Sequence, residues 1–348
     1  MLIRNVTLVT EGITCDVRIH NNTIERGSNL SPGKKETVID LSGHFLFPGL
    51  TNSHDHLEMN LYPRLGTPPY NNYTEWAKDI YKPAESPLKE IEKTDRDYRL
   101  LWGGLKNLIS GVTTVIHHNP WKKQRSFPVN VPEIKWAHSL AFEKQLPKKT
   151  PLVIHAAEGI DDFAKNEIYK LDELGLLNSE TVIIHGISAD LDLMRSRGAS
   201  LVWCPASNLY MFNRTIGSVK GLNAGLGTDS TLTGSATLLD EMRVALGTGV
   251  ATKEEIVGMV CKKSDEANFF ISKSNDLFAL QPKDIEMVVV RGDVRLSGER
   301  LPSLRKKMKV EGVEKHTDID VEKLLMYFEK KIGVKILERN PVWQILSM

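Results

Sequence analysis

Two histidines one residue apart, His54 and His56, follow the apolar run Phe45-Leu46-Phe47 and the turn-prone Pro48-Gly49. On a strand, residues i and i+2 share a face, so the two imidazoles project together. Such a pair at a strand's end is half of a transition-metal site, although an isolated His-x-His also describes two surface histidines. Four further apolar runs end in the same kinds of residue. His117 and His118 close the run 112–116, His155 and Glu158 follow 152–154, His185 follows 182–184, and Asp229 follows 225–228. In a parallel barrel the C-terminal strand ends meet at one mouth, so this recurrence predicts a metal centre there. Three neutral imidazoles and one carboxylate around Zn²⁺ leave an open position for water, whose pKa the ion lowers toward about 7.

The elements that must position these residues are legible as texture. Residues 1 to about 44 read as short strands, with Asn21-Asn22 as a turn before Thr23-Ile24. From residue 49, apolar β runs alternate with helical periodicity, the pattern of a parallel α/β domain. Ile168, Leu171 and Leu174 make one buried helix face that stops at Gly175, and Leu191, Leu193, Met194 and Gly198 suggest a short helix. Thr252-Lys253-Glu254-Glu255 has the spacing of a capping box. A β run returns at 285–294, placed to pair with the N-terminal strands. Val321, Leu324, Leu325, Phe328 and Ile332 space as an amphipathic helix ended by Gly333. The expected organisation is a β-sandwich from 1–48 and 280–300, a barrel over 49–279, and a helical C-terminal extension over 301–348.

The 348 residues carry 45 Lys+Arg against 44 Asp+Glu, a net charge of +1, with no long basic block, which disfavours nucleic acid or an anionic membrane as partner. No apolar run is long enough to cross a bilayer. The three cysteines are far apart and suggest no disulfide framework, and the first ten residues alternate like a strand without the apolar core of a signal peptide. A reduced, cytoplasmic protein acting on a small molecule is the expectation.

Taken in order, Phe47-Pro48-Gly49-Leu50, His54-Asp55-His56, His155-Ala156-Ala157-Glu158, His185-Gly186, Cys204-Pro205-Ala206-Ser207-Asn208-Leu209 and Gly227-Thr228-Asp229-Ser230 resemble the amidohydrolase superfamily. Specifically, they resemble its cytosine-deaminase-like branch, which includes guanine deaminases and triazine hydrolases. The resemblance covers about residues 1–295. It implies a distorted (β/α)8-type TIM barrel with a small β-sandwich, a homodimer, and one Zn²⁺ (or Fe²⁺) per subunit. By the same resemblance His54, His56, His155 and Asp229 are the metal ligands, and Asp229 also takes the water's proton. Glu158 shuttles protons to the substrate nitrogen and leaving group, and His185 orients the nucleophile or stabilises an oxyanion. The implied reaction is hydrolytic deamination of an amino-substituted heterocycle.

Weaker candidates surround this set. Only one of His117 and His118 can face the mouth, and His118 is favoured as a substrate contact. His138 reads as a pocket group or a core histidine, Glu58 as a substrate contact or a turn cap, and Asn208 as fixing the loop or the substrate. Cys204 reads as a small buried residue, and His20, His44 and His316 as surface.

One stretch departs from the pattern. The 31 residues from Pro120 to Thr150 hold one strand candidate, 134–142, where two strands and their crossovers need at least ~10–12 residues per crossover. A missing βα unit or a local collapse of the barrel is expected. Rival readings are a two-metal hydrolase of cyclic amides, ureas or esters using Lys135 as a bridging carbamate, related single-metal amide hydrolysis or dechlorination, and a non-catalytic relative.

Overall fold

The computed structural model describes residues 1–124, 126–262 and 267–347. Seven parallel strands carry the predicted site residues: Leu50–Asp55, Val112–His117, Trp136–Ser139, Leu152–Ala156, Thr181–His185, Ser200–Trp203 and Ala224–Leu226. The last five form one sheet in spatial order, and the first two pair separately. A single bridge, Asp55 to Asp229, spans one seam among the described residues; at the other, Thr114 bridges to Asn130, which lies outside the named strands. The distorted barrel of the resemblance, with a βα unit missing or its wall collapsed after Pro120, is among the described residues a set of seven parallel strands whose sheet does not close.

The reason lies where the sequence runs short. Between His117 and Leu152 the described residues hold one four-residue strand, Trp136–Ser139, and no helix. That strand is shorter than the predicted 134–142, because the chain turns at Leu140 and Ala141. Asn130 lies against the Val112–His117 strand, exchanging backbone bonds with Thr113 (2.8 Å) and Val115 (2.9 Å).

The helices that back the strands form where the periodicity places them. Asp162–Glu173 buries Ile168 and Leu171, and Leu191–Arg197 ends on Gly198 in the left-handed conformation. At Lys253–Val260 both bonds of the Thr252–Glu255 capping box are made. Arg96–Leu108 packs Trp102, Leu105 and Lys106 against the short 3₁₀ helix Leu57–Leu61 that follows His56.

Strands from both chain ends share one ten-stranded sheet, in which Phe45–Pro48 pairs with Leu2–Leu8 on one side and Phe269–Ser272 on the other. Ile3, Val6, Val17, Phe269, Ile271 and Met287 contribute to a core distinct from that of the barrel. The segment 301–348, expected as a helical extension, is helical only after its first part. A hairpin, Lys306–Val310 and Val313–Thr317, first extends the sheet, turning at Glu311-Gly312, both of positive φ. The amphipathic helix Val321–Ile332 then follows, ended by Gly333. His316, expected at the surface, is buried in this hairpin. Among the described residues no helix is long and apolar enough to cross a membrane.

Candidate metal centre

His54, Asp55 and His56 end the Leu50–Asp55 strand and enter the 3₁₀ helix, and the pleat turns the two imidazoles one way and Asp55 the other. His155 ends its strand one place before Ala156, His185 closes Thr181–His185, and Asp229 lies three residues past Leu226. Three turning points take left-handed backbone: Ala157 (φ 52°), His185 (φ 68°) and Asp229 (φ 59°). For residues with a Cβ this costs of order 1–3 kcal/mol each and persists where the surroundings over-determine it.

The side chains converge. Ring nitrogens of His54, His56 and His155 lie within 4.8 Å of one another, as do ligand atoms of His54, His185 and Asp229. His54 Nε2 is 3.2 Å from His155 Nε2 and 3.5 Å from Asp229 Oδ1, and His56 Nε2 is 3.6 Å from the same oxygen. All are buried. Burial holds the four imidazoles below their ordinary pKa, His185 at about 4, so they are neutral near pH 7. Burial also acts to raise the Asp229 carboxyl, but His54, His185 and His56 more than offset it and hold the group well below the usual carboxylate range.

This donor set fits a divalent metal ion. His155 Nδ1 lies 2.8 Å from the His138 carbonyl and donates to it, which leaves the Nε2 lone pair facing His54. Two imidazole nitrogens facing each other at 3.2 Å beside a carboxylate oxygen are three electron-pair donors turned to one point, and neutral imidazole is the ligating form. Asp229 Oδ2 is occupied by Ser207 Oγ (2.9 Å) and Thr233 Oγ1 (2.7 Å), so Oδ1 alone faces the histidines.

Glu158 is buried, its Oε1 3.6 Å from His185 Nε2, and burial, with the charges of Asp229 and Glu167, pushes its carboxyl well up. Its loop is held from outside. Glu167 accepts the Ala157 N–H at 2.9 Å and the Tyr73 hydroxyl at 2.7 Å, while the Tyr73 N–H donates to the Glu158 carbonyl at 3.1 Å.

The remaining candidates divide. His118 is buried among the rings, 4.5 Å from His155 by centroid, and its Nε2 donates to the Ala137 carbonyl. His138 is half-buried and stacks on His155 at 5.0 Å. Glu58 is drawn to Arg96 at 2.7 Å and His117 at 3.6 Å. Asn208 accepts from His185 Nδ1 at 2.8 Å and reaches Thr215 with its amide, so its polar atoms are engaged within the protein. Cys204 is buried. Lys135 is exposed and precedes its strand, at the end away from the mouth, which removes the geometric basis for a carbamate bridge.

Sequence reasoning passed over the supports. Asn119, 3.2 Å from His56 Nδ1, directly follows His118, and Ser207 lies inside a motif already singled out. Glu167 and Lys106 carried a signal, since each is a charged residue on the apolar face of its helix.

No family model matches the chain. Among curated relatives, a 5-methylthioadenosine/S-adenosylhomocysteine deaminase of Pyrococcus furiosus is 27% identical, the match covering 71% of this chain and 76% of the relative. A 5'-deoxyadenosine deaminase of Methanothermobacter thermautotrophicus is 25% identical over 66% of this chain and 68% of its own. Among solved structures, a triazine hydrolase from Arthrobacter aurescens superposes with a TM-score of 0.68 at 15% identity, covering 95% of this chain and 99% of that one. A zinc-bound adenosine deaminase from Xanthomonas campestris gives 0.65 at 13% identity, with 94% and 97% covered. The resemblance to the amidohydrolase superfamily read from the sequence is thus borne out by its relatives and its fold.

Proposed function

We propose that this chain is a metal-dependent hydrolase that deaminates an amino-substituted heterocycle, with the 6-amino group of an adenosine-type nucleoside as the first class to try. The observation that carries the reading is the buried Glu158 carboxyl beside a convergent His54, His56, His155 and Asp229 set. Those four residues would hold one divalent ion, Zn²⁺ or Fe²⁺. The chemistry such an ion supplies is a water acidified to a pKa of about 7, the nucleophile for the ring carbon.

The chain's own groups do the rest. Asp229 Oδ1, unprotonated and facing His54 and His56, accepts the water's proton. The Asn208 carboxamide takes the His185 Nδ1–H, which leaves Nε2 as an acceptor. That tautomer orients a water and does not donate to an oxyanion, so of the two roles open to His185 the first is favoured. Glu158 holds a proton at a carboxyl oxygen and passes it to the ring nitrogen; it then takes the proton of the new C–OH as C=O forms and hands it to the departing amine, which leaves as ammonia, and the proton held by Asp229 restores Glu158. The fixed loops of Ala157, His185 and Asp229 keep these atoms in register. His118, just before the shortened stretch 120–150, and His138 within it would contact the substrate. The division into sandwich and barrel and the homodimer rest on the resemblance, the C-terminal extension on the segment's lying beyond it, and the cytoplasmic location on the sequence's composition and cysteine usage.

The test is ammonia release by Zn²⁺-loaded protein from 5'-substituted adenosines, free aminopurines, aminopyrimidines, pterins and triazines. Release from one class establishes deamination and names the ring. Silence across the panel with metal bound would overturn deamination in favour of amide or ester hydrolysis at the same site.

A further inference from the structure

The seam between the two-stranded and five-stranded sheets runs through the metal centre. His54 and His56 lie on one side of it, Asp229 and the strand of His155 on the other. Backbone pairing across it is one bridge, with His56 N–H donating to the Asp229 carbonyl (2.8 Å) and Asp229 N–H to that of His54 (3.1 Å). The approach is close. A Cβ on Gly227 would lie 2.7 Å from the His54 Cβ, and one on Gly225 2.5 Å from Ser53 Oγ. A ladder this short fixes a contact but not the angle between two sheets.

Behind the seam stands a fully buried lysine. Lys106, in the last turn of Arg96–Leu108, places its Nζ 2.7 Å from Asn60 Oδ1, 2.9 Å from Thr228 Oγ1 and 3.3 Å from Asp55 Oδ2. Asp55 and Thr228 are the residues between and before the proposed ligands. Because side chains alternate, the backbone that turns His54, His56 and Asp229 inward turns Asp55 and Thr228 toward this helix. Asn52, Asn60 and Asn107 complete the Asp55 carboxylate with bonds of 3.1, 2.7 and 2.8 Å. Asn52 also donates to Thr228 Oγ1 at 2.8 Å. One ammonium therefore touches both ligand-bearing segments from behind.

We infer that Lys106 is a positioning residue that fastens the His54-Asp55-His56 segment to the Thr228-Asp229 turn and so sets the spacing of the metal ligands. The inference rests on the metal-site reading above. It makes Lys106 part of the metal site without being a ligand, as groups behind a coordination shell commonly tune affinity by 10–100-fold.

The experiment measures Zn²⁺ affinity by competition with a chromogenic chelator, and the visible absorption of the Co²⁺-loaded protein, in wild type, K106M and T228V. K106M leaves Asp55 without its cation and could fail to fold. T228V keeps every charge and nearly the same volume while cutting the link to the turn, so it decides alone in that case. The expected result is a loss of affinity of roughly 10–100-fold in K106M and a smaller loss in T228V, with altered Co²⁺ bands in both. Wild-type affinity and bands in folded variants would overturn the inference while leaving the metal site standing. Failure of the wild type to bind either ion would overturn the metal-site reading itself.

Discussion

Replacing Glu241 by Gln should make the protein more stable in base and leave it unchanged in acid. Glu241 is fully buried on the Leu238–Gly247 helix, where it accepts the Ala206 N–H at 2.8 Å in the first turn of the Pro205–Phe212 helix that carries Ser207 and Asn208. Burial pushes its carboxyl from 4.5 up to about 7, against the partial offset of Ser235 and that N–H. Below pH 4.5 the group is protonated in both folded and unfolded chains, so it contributes no pH dependence. Between 4.5 and 7 the unfolded chain ionises while the folded one stays protonated, so the native state binds more protons and stability falls as pH rises. At about 1.36 kcal/mol per unit, the loss across that window is roughly 3 kcal/mol and is complete above pH 7. Gln can accept the same N–H and never ionises. The variant should match wild type near pH 4.5 and exceed it by roughly 3 kcal/mol at pH 8.5. With an unfolding entropy of about 2.1 cal/mol/K per residue, that is a melting difference of roughly 4–5 °C. Paired thermal melts from pH 4.5 to 9 measure it, and comparing variant with wild type cancels the metal's own pH dependence. A difference that stays flat with pH, or a variant weaker at pH 8.5, refutes the reasoning.

Glu158→Gln should keep its metal and lose turnover by about 10²–10⁴, because an amide fills the same space but transfers no proton; undiminished ammonia release removes Glu158 from the mechanism. Asn208→Ala strips the acceptor from His185 Nδ1 and should slow turnover about 10–100-fold with metal content unchanged, the kinetic equivalent of a lost buried bond of about 1–3 kcal/mol; an unchanged rate would show that the ring needs no such partner. Gly103→Ala would set a Cβ 2.2 Å from the Leu57 carbonyl oxygen, just past His56, and should cost about 1–3 kcal/mol in urea unfolding; wild-type stability would mean the helix yields freely there.

The site was legible where chemistry follows local rules. His54 and His56 follow from a period of two, and His155, His185 and Asp229 from the ends of apolar runs that a parallel sheet gathers at one mouth. The shortened stretch after Pro120 was legible too, since residues can be counted against the length of a crossover, but that Asn130 lies against the Val112–His117 strand depends on long-range contacts. The Lys306–Thr317 hairpin stayed hidden because its lysines mask the alternation that buries Met308 and Val310. Lys106, Glu167 and Glu241 were passed over for a different reason. Charged residues read as solvated, and only the packed structure reveals that their partners are backbone groups and side chains at the strand ends. The histidines are thus local in the sequence, and what holds them in place is not.

The most direct test of the account is ammonia release from the best substrate of the panel as metal-stripped protein is titrated with Zn²⁺. The account predicts no release without metal and a rise that saturates at one ion per chain. Release from fully stripped protein, or a rise that continues to two ions per chain, would contradict it.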